Sequence, residues 1–265
     1  MRNCASNHTF PRRSHATAPH QPSPIGHSIC ISFICVAAVL TGLAQSTPLT
    51  AVCSTPPTIV IGFVGGFIGH DNLVHSEVQL AARLRQAYPS GVKVETFESY
   101  RREKARKRVL GLLDTNHNGT LTPEEKQNAR IIIYGHSWGG AEAIVLAREL
   151  QRDSIAVLLT IQVDSISRIH QNDAVIPANV AEAANFYQPH GFLHGQSGIH
   201  AADPTRTHIV GNFRFNYKAS PYTCDMYPWY DRIFAKSHTQ IECDPRVWKQ
   251  VESLIRSSIL ASAGL

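Results

Sequence analysis

The sequence lacks an apolar run of the roughly 20 residues that a membrane-crossing helix needs. Its run at Ile29 to Leu43 (ICISFICVAAVLTGL) stops after 15 residues. It also lacks an internal repeat, which excludes stacked-repeat architectures. A strong charge of either sign is missing too. The formal net charge is +5, and part of that lies near the N-terminus, so nothing argues for a nucleic-acid partner. With 43% hydrophobic and 17% charged residues in a chain of 265, the composition is that of an ordinary globular protein. That length can bury one large core.

The short apolar run has a use of its own. Residues Met1 to His27 are polar and rich in Arg, His, Pro and Ser, and Ala44-Gln45-Ser46-Thr47-Pro48 follows the run. This is the layout of a signal peptide, with small residues for cleavage after Ala44. The expected organisation is therefore a signal peptide or uncleaved anchor over 1–44, a linker over 45–57 and one domain over 58–265. The expected location is secreted or periplasmic, or alternatively membrane-anchored through the N-terminal segment alone. Cleavage would remove Cys4, Cys30 and Cys35 and leave Cys53, Cys224 and Cys243. In an oxidising compartment Cys224 and Cys243 are expected to bridge, which would contribute about 3 kcal/mol. The competing reading is two unrelated thiols. Cys53 has no assigned role.

The most informative stretch is Ile131-Ile132-Ile133-Tyr134-Gly135-His136-Ser137-Trp138-Gly139-Gly140. Three β-branched residues predict a buried strand, and Ala141 to Ala147 predicts a helix. Between them stands Gly-x-Ser-x-Gly. In that context the serine lies on a sharp turn, and Gly135 and Gly139 give the strand and helix room to approach. The helix N-terminus and the Trp138 N–H would face negative charge developing near Ser137. The alternative is an ordinary strand–helix turn.

Other segments fit the same architecture. Thr58 to Phe63 is a short, nearly continuous apolar run, as in a central parallel strand, and leads into Val64-Gly65-Gly66-Phe67-Ile68-Gly69. Val74, Val78, Ala81 and Leu84 fall at helical spacing, and Val92 to Phe97 alternates as a strand. Tyr100 to Leu113 predicts a basic helix with a solvated face. Ile155 to Val163 predicts another buried strand, ending at Asp164. Ala181 to Gln188 and Thr207 to Phe213 are further strand candidates. Asp244-Pro245 opens a last helix, with Asp as N-cap and Pro at its first position. The prediction is α/β, with a mostly parallel central sheet covered by helices on both faces.

From about Thr58 onward the chain resembles the α/β-hydrolases, whose parts come in the order nucleophile, acid, histidine. The resemblance implies a lipase- or esterase-like serine hydrolase that needs no organic cofactor and acts on a small-molecule or lipid ester. Ser137 would be the nucleophile. His238, expected in the loop before the final helix, would be the base. Asp164, at the C-terminal end of a predicted strand, is the favoured acid. Asp203 is the alternative, and Asp173 a fainter one. The loop after the first strand would supply the oxyanion donors, from Gly66 or Phe67 together with Trp138. It lacks the histidine of the His-Gly-Gly-Gly version. His190, His194 and His200 are read as surface loop residues rather than a metal site. Thioesterase, amidase and acyltransferase activities would use the same residues. A non-catalytic calcium-binding or adhesion module on the same scaffold is the reading from another class.

A second motif runs from Asp114 to Glu125 (DTNHNGTLTPEE) and matches the 12-residue EF-hand loop. Asp114, Asn116 and Asn118 stand at positions one, three and five, and Gly119 makes the turn at six. Thr120 offers its carbonyl, and Glu125 ends the loop at twelve. The reading is a structural Ca2+ clip between a helix and the nucleophile strand, against an Asx-rich turn without metal. No second loop of this kind is present to form a pair.

Overall fold

The computed structural model describes residues 56–263. The segment read as a signal peptide or anchor, Cys53 and most of the expected linker lie outside the described residues. The elements are β1 (Thr58–Val64), α1 (Ser76–Ala87), β2 (Val92–Glu98), α2 (Arg102–Leu113), α3 (Pro123–Gln127), β3 (Ile131–His136), α4 (Trp138–Arg152) and β4 (Val157–Val163). There follow β5 (Val175–Ile176), β6 (Val180–Tyr187), β7 (His200–Ala201), β8 (His208–Arg214), α5 (Trp229–Phe234), α6 (Lys236–Cys243) and α7 (Pro245–Ala263).

Six strands form one sheet in the order β2-β1-β3-β4-β6-β8, and every neighbouring pair is parallel. Such a sheet needs cover on both faces, and the strand residues alternate between two apolar layers. Ile59, Ile61, Ile131 and Ile133 pack against α2 and α4. Val60, Ile132 and Tyr134 face the other way, against Leu80 and Leu84 of α1 and Trp248, Val251 and Ile255 of α7. The fold is α/β with helices on both faces.

The strand order reverses between β1 and β3. Chain leaving β1 heads outward to β2, whereas β3 starts the walk in the opposite direction. In open α/β sheets the crevice beyond the carboxyl ends of two such strands is where ligands bind. Here that crevice lies between the glycine-rich loop after β1 and Ser137 after β3.

Three local features depart from the sequence expectation. His238 sits inside α6, not in a loop before the final helix. β5 and β7 form a small separate parallel pair, and α5 is an added helix of six residues. Two-residue strands and one-and-a-half-turn helices are too short to carry a periodic signal. Cys224 and Cys243 are disulfide-bonded with Cα atoms 5.8 Å apart, which ties the segment before α5 to the end of α6.

Candidate active site

Ser137 adopts φ 56° and ψ −126°, a backbone that few non-glycine residues occupy. Its neighbours explain how the turn closes. A Cβ on Gly135 would lie 2.3 Å from the Gly139 carbonyl oxygen, and one on Gly139 would lie 2.3 Å from the carbonyl oxygen of Phe63. Strand β1, strand β3 and helix α4 meet at backbone contact there, and no side chain fits between them. Three bonds hold the strained peptide units: Ser137 N donates to Val163 O at 3.0 Å, and Gly140 N and Ile166 N donate to Ser137 O at 3.0 and 3.1 Å. The serine precedes α4 but its side chain makes no capping bond. Trp138 opens the helix, where its N–H has no carbonyl within the helix to bind.

The loop after β1 closes in from the other strand. A Cβ on Gly65 would stand 3.1 Å from the Ser137 Cβ. Gly66 takes φ +48°, within the left-handed region that glycine enters without strain. The buried Ser99 hydroxyl donates to the Gly66 carbonyl at 3.0 Å. In a trans peptide C=O and N–H point in opposite directions, so this bond also fixes the direction of the Phe67 N–H. Arg168 Nη2 in turn donates to Ser99 Oγ at 3.2 Å. Its guanidinium lies 5.0 Å from the Trp138 ring centroid, and the Phe67 ring meets Trp138 edge-on at 5.5 Å.

Asp164 follows β4 at the same edge of the sheet, fully buried, with φ 42°. Its carboxylate accepts four hydrogen bonds. Oδ1 takes Gly195 N at 2.8 Å and Gln188 N at 3.3 Å, while Oδ2 takes Gln188 Nε2 at 2.9 Å. The fourth donor is His238 Nδ1, 2.7 Å from Oδ2. Gly195 is needed for this approach, because a Cβ there would meet the Asp164 carbonyl carbon at 2.3 Å. The structure thus joins Asp164 and His238. Asp203 stands apart from them, half-buried and bonded to Thr205 N and Oγ1 at 3.0 and 2.7 Å. Those bonds hold its carboxyl below the usual range. Asp173 is buried but is bonded to Ser165 Oγ. His190, His194 and His200 are spread over the segment after β6 and the start of β7. His190 bonds Asn216 at 3.0 Å, and His194 bonds the Gly191 carbonyl at 3.3 Å.

Sequence reasoning missed a group of buried polar residues that supports this site. The His136 ring packs against the His238 ring, 4.5 Å between centroids. His136 Nδ1 lies 3.5 Å from Glu77 Oε1 and 3.6 Å from Glu242 Oε2. Burial would push the His136 imidazole down, but the charges of Glu242, Glu77 and Asp164 outweigh it and raise it to about 9. His75 Nδ1 bonds Glu242 Oε1 at 2.5 Å, and Tyr227 OH bonds the same oxygen at 3.1 Å. The one readable signal was His136 itself, a polar residue at the end of an otherwise apolar strand. In the sequence Glu77 looks like a solvated helix position and Glu242 like part of the loop before the last helix.

The EF-hand-like loop lies outside this site. Asp114 Oδ1 and Oδ2 accept from Asn118 N and Gly119 N at 3.1 and 2.9 Å, and Asn118 Oδ1 accepts from Thr120 N at 2.8 Å. Gly119 has φ 81°. Glu125 turns both oxygens onto protein donors. Oε1 takes Thr115 N and Oγ1, each at 2.8 Å, and Oε2 takes Thr122 N at 2.9 Å to complete the capping box of α3. Those bonds pull its carboxyl down to about 2.

No protein-family model matches the chain, and no curated protein does. Solved structures give distant likenesses. An acetylxylan esterase is 12% identical with TM-score 0.39, over 78% of this chain and 100% of that one. A hormone-sensitive lipase from a metagenome library is 12% identical with TM-score 0.37, over 76% and 78%. A dienelactone hydrolase-like promiscuous phosphotriesterase from metagenomic libraries is 14% identical with TM-score 0.37, over 77% and 87%. The α/β assignment rests on the all-parallel sheet and its strand order, not on these likenesses.

Proposed function

We propose that the protein is a serine hydrolase cleaving carboxylic esters, with Ser137 as nucleophile, His238 as base and Asp164 as the residue that holds the base. The observation that carries this reading is the buried Asp164–His238 Nδ1 bond at the edge of the sheet where the strained Ser137 turn lies. With Nδ1 donating to Asp164, Nε2 of a neutral His238 carries the lone pair that can take the Ser137 proton. The serine oxygen then bonds the ester carbonyl carbon, and the carbonyl electrons move onto its oxygen. The N–H groups of Trp138 and of Gly66 or Phe67 are the proposed donors to that oxyanion. Collapse expels the alcohol, which leaves with the proton from His238. Water repeats the sequence on the acyl-enzyme and releases the acid.

The surroundings favour a substrate with an apolar part. Phe67, Ile169 and Phe192 project, largely exposed, from the connections after β1, β4 and β6. A cleft of about 510 Å³ beside Ser237 is lined by Phe192, Leu193, Tyr217 and Ile233. Thioester, amide and acyl-transfer chemistry would use the same residues, and the leaving group decides among them. The Cys224–Cys243 bridge supports a secreted or periplasmic location, where disulfides persist.

The test is labelling by a fluorophosphonate probe, followed by turnover of p-nitrophenyl esters of graded chain length. Ser137→Ala should abolish both while leaving the melting temperature close to wild type. Labelling that survives in this variant would remove Ser137 from the mechanism. A wild-type chain that neither labels nor turns over would favour the non-catalytic reading.

A calcium ion is proposed as well, on the geometry of the 114–125 loop. The side-chain oxygens of Asp114, Asn116 and Asn118 and the Thr120 carbonyl belong to a turn already closed by Gly119. Glu125 could join them only by leaving its Thr115 donors. Affinity should therefore be low, as in extracellular calcium modules. The ion would neutralise the loop carboxylates and hold α2 against the chain entering β3.

A further inference from the structure

His75, Glu77, His136 and Glu242 converge from three elements: the residue preceding α1 and its first turn, the last residue of β3, and α6. All four are at least nine-tenths buried. Ligand atoms of His75, Glu77 and Glu242 lie within 4.8 Å of one another, the one such group among the described residues. The hydrogen-bond account of this group does not close. Neither oxygen of Glu77 has a hydrogen-bond partner, and neither nitrogen of His136 has one. Glu77 has the His136 ring 3.5 Å away as a counter-charge but no hydrogen bond at all, and a buried carboxylate without hydrogen bonds is costly. Such orphans call for a missing partner.

The distances say what kind of partner. His136 Nδ1 stands 3.5 Å from Glu77 Oε1 and 3.6 Å from Glu242 Oε2, beyond hydrogen-bond range. Donors placed tetrahedrally around zinc, with bonds of about 2.0–2.2 Å, lie about 3.3–3.6 Å apart. We propose that His75, Glu77 and Glu242, whose ligand atoms already meet, bind one divalent transition-metal ion, with zinc the best match. His136, close to both carboxylates but outside that group of three, moves in as the fourth ligand. Two imidazole nitrogens and two carboxylate oxygens suit zinc, whereas calcium and magnesium prefer six or more oxygens. Charge agrees as well, since two carboxylates and a dication sum to zero in a space closed to water. His75 Nδ1 and Glu242 Oε1, now 2.5 Å apart, would separate by about 1 Å to share the ion. Tyr227 OH on the Glu242 carboxylate at 3.1 Å is the kind of support that such ligands normally have.

With four protein ligands and no exposed face, the ion is structural. It would tie α1, β3 and α6 together and fix the His136 ring on which His238 rests. The proposal holds whether or not Ser137 is a nucleophile.

The test uses the full chain, dialysed free of metal and then titrated with Zn2+ or Co2+ in saturating Ca2+. Mass spectrometry should find one zinc per chain. Co2+ should give the intense visible absorption of a tetrahedral site, and Zn2+ should raise the melting temperature. Glu77→Gln should weaken Co2+ binding at least about 100-fold, and His194→Ala should leave it unchanged. Should Glu77→Gln fail to fold, anomalous scattering at the zinc edge from crystals of the loaded wild type locates the ion instead. A wild type that takes up no zinc, a Co2+ spectrum unchanged in Glu77→Gln, or an anomalous peak away from these four residues would each overturn the proposal.

Discussion

Asp164→Asn changes one atom of the proposed acid, and the structure says which consequence should dominate. All four groups around the carboxylate are donors: His238 Nδ1, Gln188 Nε2, Gly195 N and Gln188 N. An asparagine amide must turn its NH2 toward one pair of them. Facing Gly195 N and Gln188 N, it would oppose two backbone N–H groups that cannot become acceptors, at a cost of about 1–3 kcal/mol for each donor left unpaired. Facing His238, it meets a ring that can change tautomer, so that orientation should win. The imidazole then accepts at Nδ1 and carries its proton on Nε2, where it cannot take one from Ser137. A loss of about 10⁴-fold in kcat is expected for a histidine held in the wrong tautomer. KM should change little, because Asp164 is buried behind the base. The assay is steady-state p-nitrophenyl ester hydrolysis, with the melting curve as a check on folding. The control is Asp203→Asn. That carboxylate is bonded to Thr205 and not to His238, so this variant should keep the wild-type rate. A folded Asp164→Asn variant within about tenfold of wild type would refute the assignment.

Gly139→Ala should be among the most damaging small substitutions. Its Cβ would sit 2.3 Å from the Phe63 carbonyl oxygen, and neither backbone can move freely. The expected destabilisation is about 3 kcal/mol or more, read as a drop in melting temperature of about 2–4 °C per kcal/mol; an unchanged melting temperature would contradict the geometry. Ser99→Ala removes the bond that fixes the Gly66–Phe67 peptide and should lower kcat by up to about 100-fold at little cost in KM. A purely structural Ser99 would instead lower stability and leave kcat alone. Removing calcium should lower the melting temperature more than the rate well below it, since ligand binding adds RT ln(1 + [L]/Kd) to stability. Glu125→Gln should blunt that dependence, and a melting temperature indifferent to both chelator and variant would sink the calcium reading.

The elements that could be read in the sequence are those whose signal is local. Three consecutive isoleucines and the Gly-x-Ser-x-Gly spacing led to β3, the turn and α4. The apolar run after Ser154 led to β4 and so to Asp164 at its end. His238 was picked out by its position in the chain, yet its helix was missed. Lys236–Cys243 is only eight residues long, and it buries Thr239, Gln240 and Glu242 alongside Ile241. A helix that buries polar residues shows no apolar stripe. The polar group under the site was invisible for a related reason. Glu77 and Glu242 lie 165 positions apart in the chain and come together only because α1 and α6 pack on the same face of the sheet. The choice between Asp164 and Asp203 was likewise open, because it depends on Gln188 and Gly195, which a sequence does not place beside either one.

The position of α6 and α7 at the end of the chain bears on how the protein is made. Synthesis delivers the serine turn early, because β1, β3 and α4 are complete by residue 152. The histidine arrives only with α6, and the sheet face bearing Val60 and Tyr134 has no cover from Trp248, Val251 and Ile255 until α7 emerges. A nascent chain therefore carries the strained serine turn without His238 and with one apolar face of the sheet covered by α1 alone. The proposed chemistry cannot run at that stage, and transiently exposed apolar surface of this kind is prone to wrong association until the chain is complete. Truncation within the last helix should trap this same half-covered state.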